Sequence, residues 1–340
     1  MPVGWKKISV VLAVTVATLS IQACSNSSDD DAKDITVYNA QHESLTKEWV
    51  AAFTKETGIK VTLRQGGDTA LGNQLVAEGG ASPADVFLTE NSPAMALVEN
   101  AGLFADVDKP TLDQVPAQFR PSTGKWTGVA ARSTVFVYNK DKVAADQLPA
   151  SLLDLAQPQW KGRWGAGVSG ADFQAIVAAL LALKGEDATR AWLKGMKENA
   201  TAFPNNVATM KAVDSGNPDG GVIYHYYWYR DQAKTKESSS HTALHYFKNQ
   251  DPGAFVSVSG GGVLKSSKKQ ESAQKFLAFI VGKAGQQVLR DGDSMEYPVA
   301  SDVAANPALP PLADLQAPVV DPSELDAKKV TALMTEAGLL

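Results

Sequence analysis

The sequence predicts an α/β protein built as two lobes, and three observations lead there. Strand and helix signals alternate from Asp34 onward. The chain has 340 residues, room for two domains of ordinary size. Its composition, 44% apolar and 20% charged, is that of a globular protein and sets aside collagenous, disordered and disulfide-rich classes. Strand–helix alternation of this kind builds a largely parallel sheet covered by helices.

DITVYNA (34–40) reads as a strand, with Ile35 and Val37 on one face. Leu45, Trp49 and Phe53 recur every four residues, which predicts a helix over 44–58 stopped by Gly58. GIKVTLRQG (58–66) is strand-like, and TALGNQLVAEGG (69–80) is a short helix ended by paired glycines. ADVFLTE (84–90) is an apolar strand. Ser92 as cap and Pro93 in the first turn open a helix over 92–102. RSTVFVYN (132–139) is a strand, followed by helices over 173–185, 187–200 and 207–216. GGVIYHYY (220–227), SHTALHYF (240–247) and PGAFVSVSGGGVL (252–264) are strand-like. QESAQKFLAFIVGKAGQQVL (270–289) is helical, and so is 323–338, with Ser323 as its cap.

The N-terminus is read as a targeting segment. Lys6 and Lys7 precede an apolar run, Ile8–Ile21, of the length of a signal-peptide core and too short to span a bilayer. The run ends in IQAC, which resembles a lipobox, so Cys24 is expected to be cut free and lipidated, with residues 1–23 removed. Cys24 is the only cysteine, which excludes an intramolecular disulfide. The polar, acidic SNSSDDDAKD that follows is a tether (24–33). Removing residues 1–23 lowers the formal charge from −5 to −7, which gives no overall attraction for nucleic acid. The expectation is an exported domain, extracytoplasmic or periplasmic, held to a membrane by a lipid.

In open α/β sheets ligands bind beyond the carboxyl ends of strands. That rule singles out four loops: Gln41-His42, Glu90-Asn91, Ser169-Gly170-Ala171 and Tyr226-Tyr227. One imidazole, one carboxylate and two phenols are oxygen-rich, hard donors, and the single cysteine and four histidines do not suit a zinc site. Phenols carry protons at neutral pH, so only a strongly charged cation displaces them. Ferric iron meets that demand. A helix beginning after Ser169-Gly170 would aim backbone N–H groups at the cleft, and Asn206 could cap another helix there, so a small oxyanion could complete the coordination. Each residue also has a plainer reading. A lone histidine after a strand is commonly a surface residue, a lone loop glutamate is solvated, and Ser-Gly is an ordinary turn. Tyrosines adjacent in a strand point to opposite faces, so a shared ligand requires the strand to end before them.

The strings ITVYNAQH, ADVFLTE, VSGADFQAIVA, NNVATMKAVDSG, YYW, DPGAFVSVSGGGVLKSS and MEYPV occur in this order across residues 34–340. In them the chain resembles the bacterial ferric-ion binding proteins, the substrate-binding components of iron(III) ABC transporters. The resemblance implies a type II periplasmic-binding-protein fold with crossover hinge strands and an interlobe cleft. Lobe 1 would be 34–134 and 257–308, and lobe 2 would be 135–256 and 309–340. It implies His42, Glu90, Tyr226 and Tyr227 as iron ligands, and Asn91, Ser169, Gly170, Ala171 and Asn206 around a synergistic anion such as phosphate or carbonate. It also implies a monomer that delivers ferric ion to an inner-membrane permease and its ATPase. The family stretch INNYYW is IYHYYW here. Tyr224 thus replaces an anion-contacting asparagine and is a further candidate ligand. Trp228, Tyr229 and Tyr138 are read as packing residues.

Two other readings compete. The same fold could carry an organic ligand such as thiamine or a polyamine, or an anion alone, and would then have no need of paired tyrosines. An iron-dependent enzyme needs an open metal position, which a closed tyrosinate set does not leave. The function expected is therefore transport binding, not catalysis.

Overall fold

The computed structural model describes residues 1–2, 4 and 33–340, so the apolar run from Ile8 and Cys24 lie outside the described residues. The first part of the chain follows the predicted order: β1 (Ile35–Asn39), α1 (Glu43–Thr57), β2 (Val61–Gln65), α2 (Asp68–Glu78), β3 (Val86–Leu88), α3 (Ser92–Asn100) and a single turn, α4 (Lys109–Leu112). The middle comprises β4 (Thr127–Asn139), β5 (Trp164–Ala166), α5 (Ala171–Lys184), α6 (Glu186–Asn199), β6 (Ala200–Ala202), α7 (Asn206–Asp214), β7 (Gly220–Tyr224) and α8 (His225–Lys234). The last part contains β8 (Thr242–His245), β9 (Val256–Val263), α9 (Gln270–Val281), α10 (Lys283–Asp291) and α11 (Ala327–Glu336).

The strands order as β2-β1-β3-β9-β4-β7-β5-β6, with β8 also paired to β4. Both ends of this order are parallel, as strand–helix alternation requires: β1 with β2 and β3, and β5 with β6 and β7. The middle is antiparallel, because β9 and β4 run back against β3 and β7. β4 is shared between the two ends. Thr127–Ser133 pair with β9, and from Thr134 the strand pairs with β7.

Each end carries helices on both faces. Alternation along β1 and β3 sends Val37, Val86 and Leu88 into one core with Trp49, Phe53, Phe276 and Ile280, while Tyr38 and Phe87 join Leu75, Met95 and Trp126 on the other face. The indole of Trp49, fully buried, donates to Gly285 O at 2.8 Å and joins α1 to α10. At the other end Trp164, Phe173, Ile176, Trp192 and Val222 form one core, and Val135, Val137, Met210 and Ile223 the opposite one.

Several local expectations are corrected. The helical run over 270–289 breaks at Gly282, which is extended, so that α10 can turn onto α1. Ser92 is the first helical residue rather than the cap, because its hydroxyl donates to Val258 O at 2.6 Å on β9. Ser323 lies in a separate 3-10 turn, and Asp326 caps α11 by accepting from Lys329 N at 2.9 Å. The strand expected over 220–227 ends at Tyr224.

Candidate functional site

The ends of β1, β3, β5, β6 and β7 deliver their following residues to one place. After β1, Gln41 accepts from His42 N at 2.7 Å and donates to Ser259 Oγ on β9 at 2.8 Å, which holds His42 at the start of α1. His42 Nδ1 lies 2.9 Å from Glu90 Oε1, just past β3. Glu90 N donates to Asp68 Oδ1 at 2.9 Å, in the first turn of α2.

The change from strand to helix at His225 places Tyr226 and Tyr227 in the first turn of α8. Successive helical residues are about 100° apart rather than on opposite faces, so both rings can serve one site. The rings stack with centroids 4.1 Å apart, and Tyr226 meets His42 edge-on at 5.0 Å. The Tyr226 hydroxyl is buried with no hydrogen-bond partner. Tyr227 OH donates to Asp172 Oδ2 at 2.9 Å.

Asp172, the second residue of α5, organises the remaining groups. Its carboxylate also accepts from Asn206 Nδ2 at 2.6 Å and Asn91 Nδ2 at 2.8 Å. The Asn91 amide is shared with Asp68 at 3.1 Å. Asn206 therefore does not cap its helix. Asn205 does so, accepting from Ala208 N at 2.8 Å, and the Asn206 amide is turned to Asp172. A Cβ on Gly167 would sit 2.9 Å from the Asn205 backbone, so glycine is what lets the end of β5 close on the start of α7. Gly170 and Ala171 line a cavity of about 260 Å³ with Asp68, Glu90, Asp172 and Tyr227. Ser169 is exposed, and Tyr224 is fully buried with its hydroxyl donating to Asp172 O at 3.3 Å and Asn91 Oδ1 at 3.5 Å.

A fully buried guanidinium, Arg132 on β4, lies behind these donors. Its Nη2 donates to Glu296 Oε1 and, at 2.5 Å, to Ser259 Oγ. Its Nη1 is 3.8 Å from Glu90 Oε2 and 4.0 Å from Asp172 Oδ1. The guanidinium carbon is 5.5 Å from the centre of the Tyr226 ring.

Burial, then the charge of Asp172, pushes both phenols well above their ordinary pKa. Burial and the nearby Glu90 raise the Asp172 carboxyl, and they push Asp68 up to about 8. Burial opposes charge on Glu90 too, but the hydrogen bond and charge of His42, with Arg132, outweigh it and hold its pKa below the usual range. Burial would depress His42, yet the charges of Glu296 and Glu90 prevail and raise it. The site thus gathers acidic groups at several protonation levels around two phenols that stay neutral unless a strong Lewis acid removes their protons. Among the described residues, no group of three or more His, Cys, Asp or Glu side chains is placed to hold a metal without help, so coordination here would depend on the phenols.

Nothing in the sequence singles out Asp172, Arg132, Asp68 or Glu296. An aspartate in a first helical turn looks like a solvated dipole partner, and only its neighbours Ser169-Gly170-Ala171 carry a loop signal.

The model for bacterial extracellular solute-binding proteins matches residues 81–323. The chain is 62% identical over 331 residues to the Fe(3+)-binding periplasmic protein of Serratia marcescens, covering 97% of each. It is 37% identical over 309 residues to the major ferric iron-binding protein of Neisseria meningitidis serogroup B, covering 90% of this chain and 93% of the relative. Among solved structures, iron-bound HitA of Pseudomonas aeruginosa superposes with a TM-score of 0.84 at 41% identity, over 90% of this chain and 99% of that one. A Trichodesmium protein in complex with iron and citrate superposes at 0.79 with 29% identity, over 90% of this chain and 100% of that one.

Proposed function

The chain belongs to the bacterial extracellular solute-binding proteins, with the type II periplasmic-binding fold, and we propose that its cargo is ferric iron held by His42, Glu90, Asp172, Tyr226 and Tyr227. The observation that carries this reading is the pair of stacked phenols facing the His42–Glu90 pair, with the Tyr226 hydroxyl buried and unpartnered. A buried unmatched hydroxyl is costly to keep, and an ionised one beside a trivalent cation is not. Relatives named for ferric iron binding support the same cargo.

Asp172 supplies the anionic oxygen that a synergistic anion such as phosphate or carbonate would otherwise bring. Its carboxylate already takes the amide of Asn206, the amide of Asn91 and the hydroxyl of Tyr227. Tyr224 supports Asp172 and Asn91 from below rather than binding metal. The two lobes, 34–134 with 257–308 and 135–256 with 309–340, close on the ion about the crossover strands β4 and β9. The protein works as a monomer, tethered by lipid at Cys24, and passes iron to an ABC permease without performing catalysis.

The test is colour. Metal-free protein given ferric citrate should develop the visible charge-transfer band of iron(III) tyrosinate. A protein that stays colourless would refute the reading.

A further inference from the structure

Glu296 is a fully buried ionisable group beside the donors, and the iron reading gives it no role. It lies just before Tyr297, whose backbone exchanges two hydrogen bonds with Ala131 (2.8 and 2.9 Å), so Glu296 is tied directly to the crossover strand β4. Oε1 takes the guanidinium of Arg132. Oε2 has no hydrogen-bond partner and faces His42 Nε2, also buried and unpartnered, 3.9 Å away.

The imidazole therefore stands between two carboxylates. Nδ1 meets Glu90 and Nε2 points at Glu296, while the ring as a whole packs edge-to-face with Tyr226. A histidine gives one nitrogen to a metal and needs an acceptor for the N–H on the other, and that acceptor sets the tautomer and the ring orientation. Nδ1 sits beside Glu90, itself a donor in the iron reading, so that nitrogen is given to the metal and the remaining N–H, on Nε2, is left to Glu296. Bringing 3.9 Å down to a hydrogen bond of about 2.9 Å takes a shift of roughly one ångström. The rest of the arrangement restricts that shift to the ring. Arg132 pins Glu296, and Arg132 and Gln41 both bond Ser259 Oγ, so His42 and its acceptor are suspended from the same residue of β9.

We infer that Glu296 is a positioning residue for iron binding, acting through His42 by accepting its second ring N–H. The inference rests on the iron reading. It is tested with the mature protein, ferric iron supplied as ferric citrate, and affinity read by competition with citrate. Glu296→Gln keeps shape but turns an amide toward the ring, and should weaken iron binding about 10–100-fold while the tyrosinate band stays in place. In a His42→Ala background the same change should cost less than about threefold, since the residue it acts through is gone. If Glu296→Gln folds poorly, Arg132→Gln with Glu296→Gln replaces the ion pair by neutral groups, and the same comparison with and without His42 applies. Iron affinity of the Glu296 variant within about twofold of wild type, or an equal loss with and without His42, overturns the proposal. The second outcome would mark Glu296 as a support of the fold. A wild-type protein that stays colourless overturns the iron reading and this inference together, whereas the other failures leave the iron reading intact.

Discussion

Tyr226→Phe and Tyr227→Phe delete the same atom from neighbouring rings, yet the two hydroxyls have opposite surroundings. Tyr226 OH is buried without a partner, so its removal relieves an unsatisfied polar group worth about 1–3 kcal/mol. The ring contacts with Tyr227, His42 and Arg132 survive in phenylalanine. Tyr227 OH donates to the buried Asp172 carboxylate at 2.9 Å, a bond to a charged group worth about 1.5–3 kcal/mol. Metal-free Tyr226→Phe should therefore be more stable than wild type, and metal-free Tyr227→Phe less stable. Both should lose iron affinity by orders of magnitude, because each lacks a donor oxygen. The assay is urea unfolding of chelator-treated protein, where an unchanged slope assigns the midpoint shift to stability. A Tyr226→Phe variant destabilised by more than about 1 kcal/mol would refute the assignment of its hydroxyl as unsatisfied. Iron affinity equal to wild type in either variant would remove that residue from the ligand set.

Asp172→Ala frees the Asn91 and Asn206 amides and the Tyr227 hydroxyl. Iron binding by wild type should not respond to phosphate or carbonate, while the variant should gain about tenfold or more from either, which titrations in anion-poor and anion-rich buffer will show. Iron should be lost on acidification, because binding releases protons from groups held above their ordinary pKa. Two phenol protons alone make affinity fall about a hundredfold per pH unit, and His42, whose pKa is raised, adds to the loss from above the ordinary histidine range downward. Iron retention that is flat with pH in a chelator competition would contradict this.

Periodicity and loop position made much of the protein legible. The four-residue spacing of Leu45, Trp49 and Phe53 marked α1, and the strands ITVYN and VFL read directly from their apolar residues. The strand-end rule brought out His42, Glu90, Tyr226 and Tyr227 from separate loops, and the structure places them together. Capping was less legible at Ser92 and Ser323, because a hydroxyl near a helix start can be claimed by a distant acceptor or by a separate turn.

The alternating elements, the hard-donor chemistry and the loops that carry it are legible without a fold, since they follow from local periodicity and residue type. The antiparallel course of β9 and β4, the helical start that turns both phenols to one side, and the contacts of Asp172, Arg132 and Glu296 are not local properties. Those depend on which distant groups meet. An aspartate in a first helical turn becomes a buried three-donor acceptor only when Asn91, Asn206 and Tyr227 reach it from other elements. An arginine within an apolar strand stays charged inside the protein because carboxylates from distant parts of the chain surround it: Glu296, 164 residues away, with Glu90 and Asp172 within 4.0 Å.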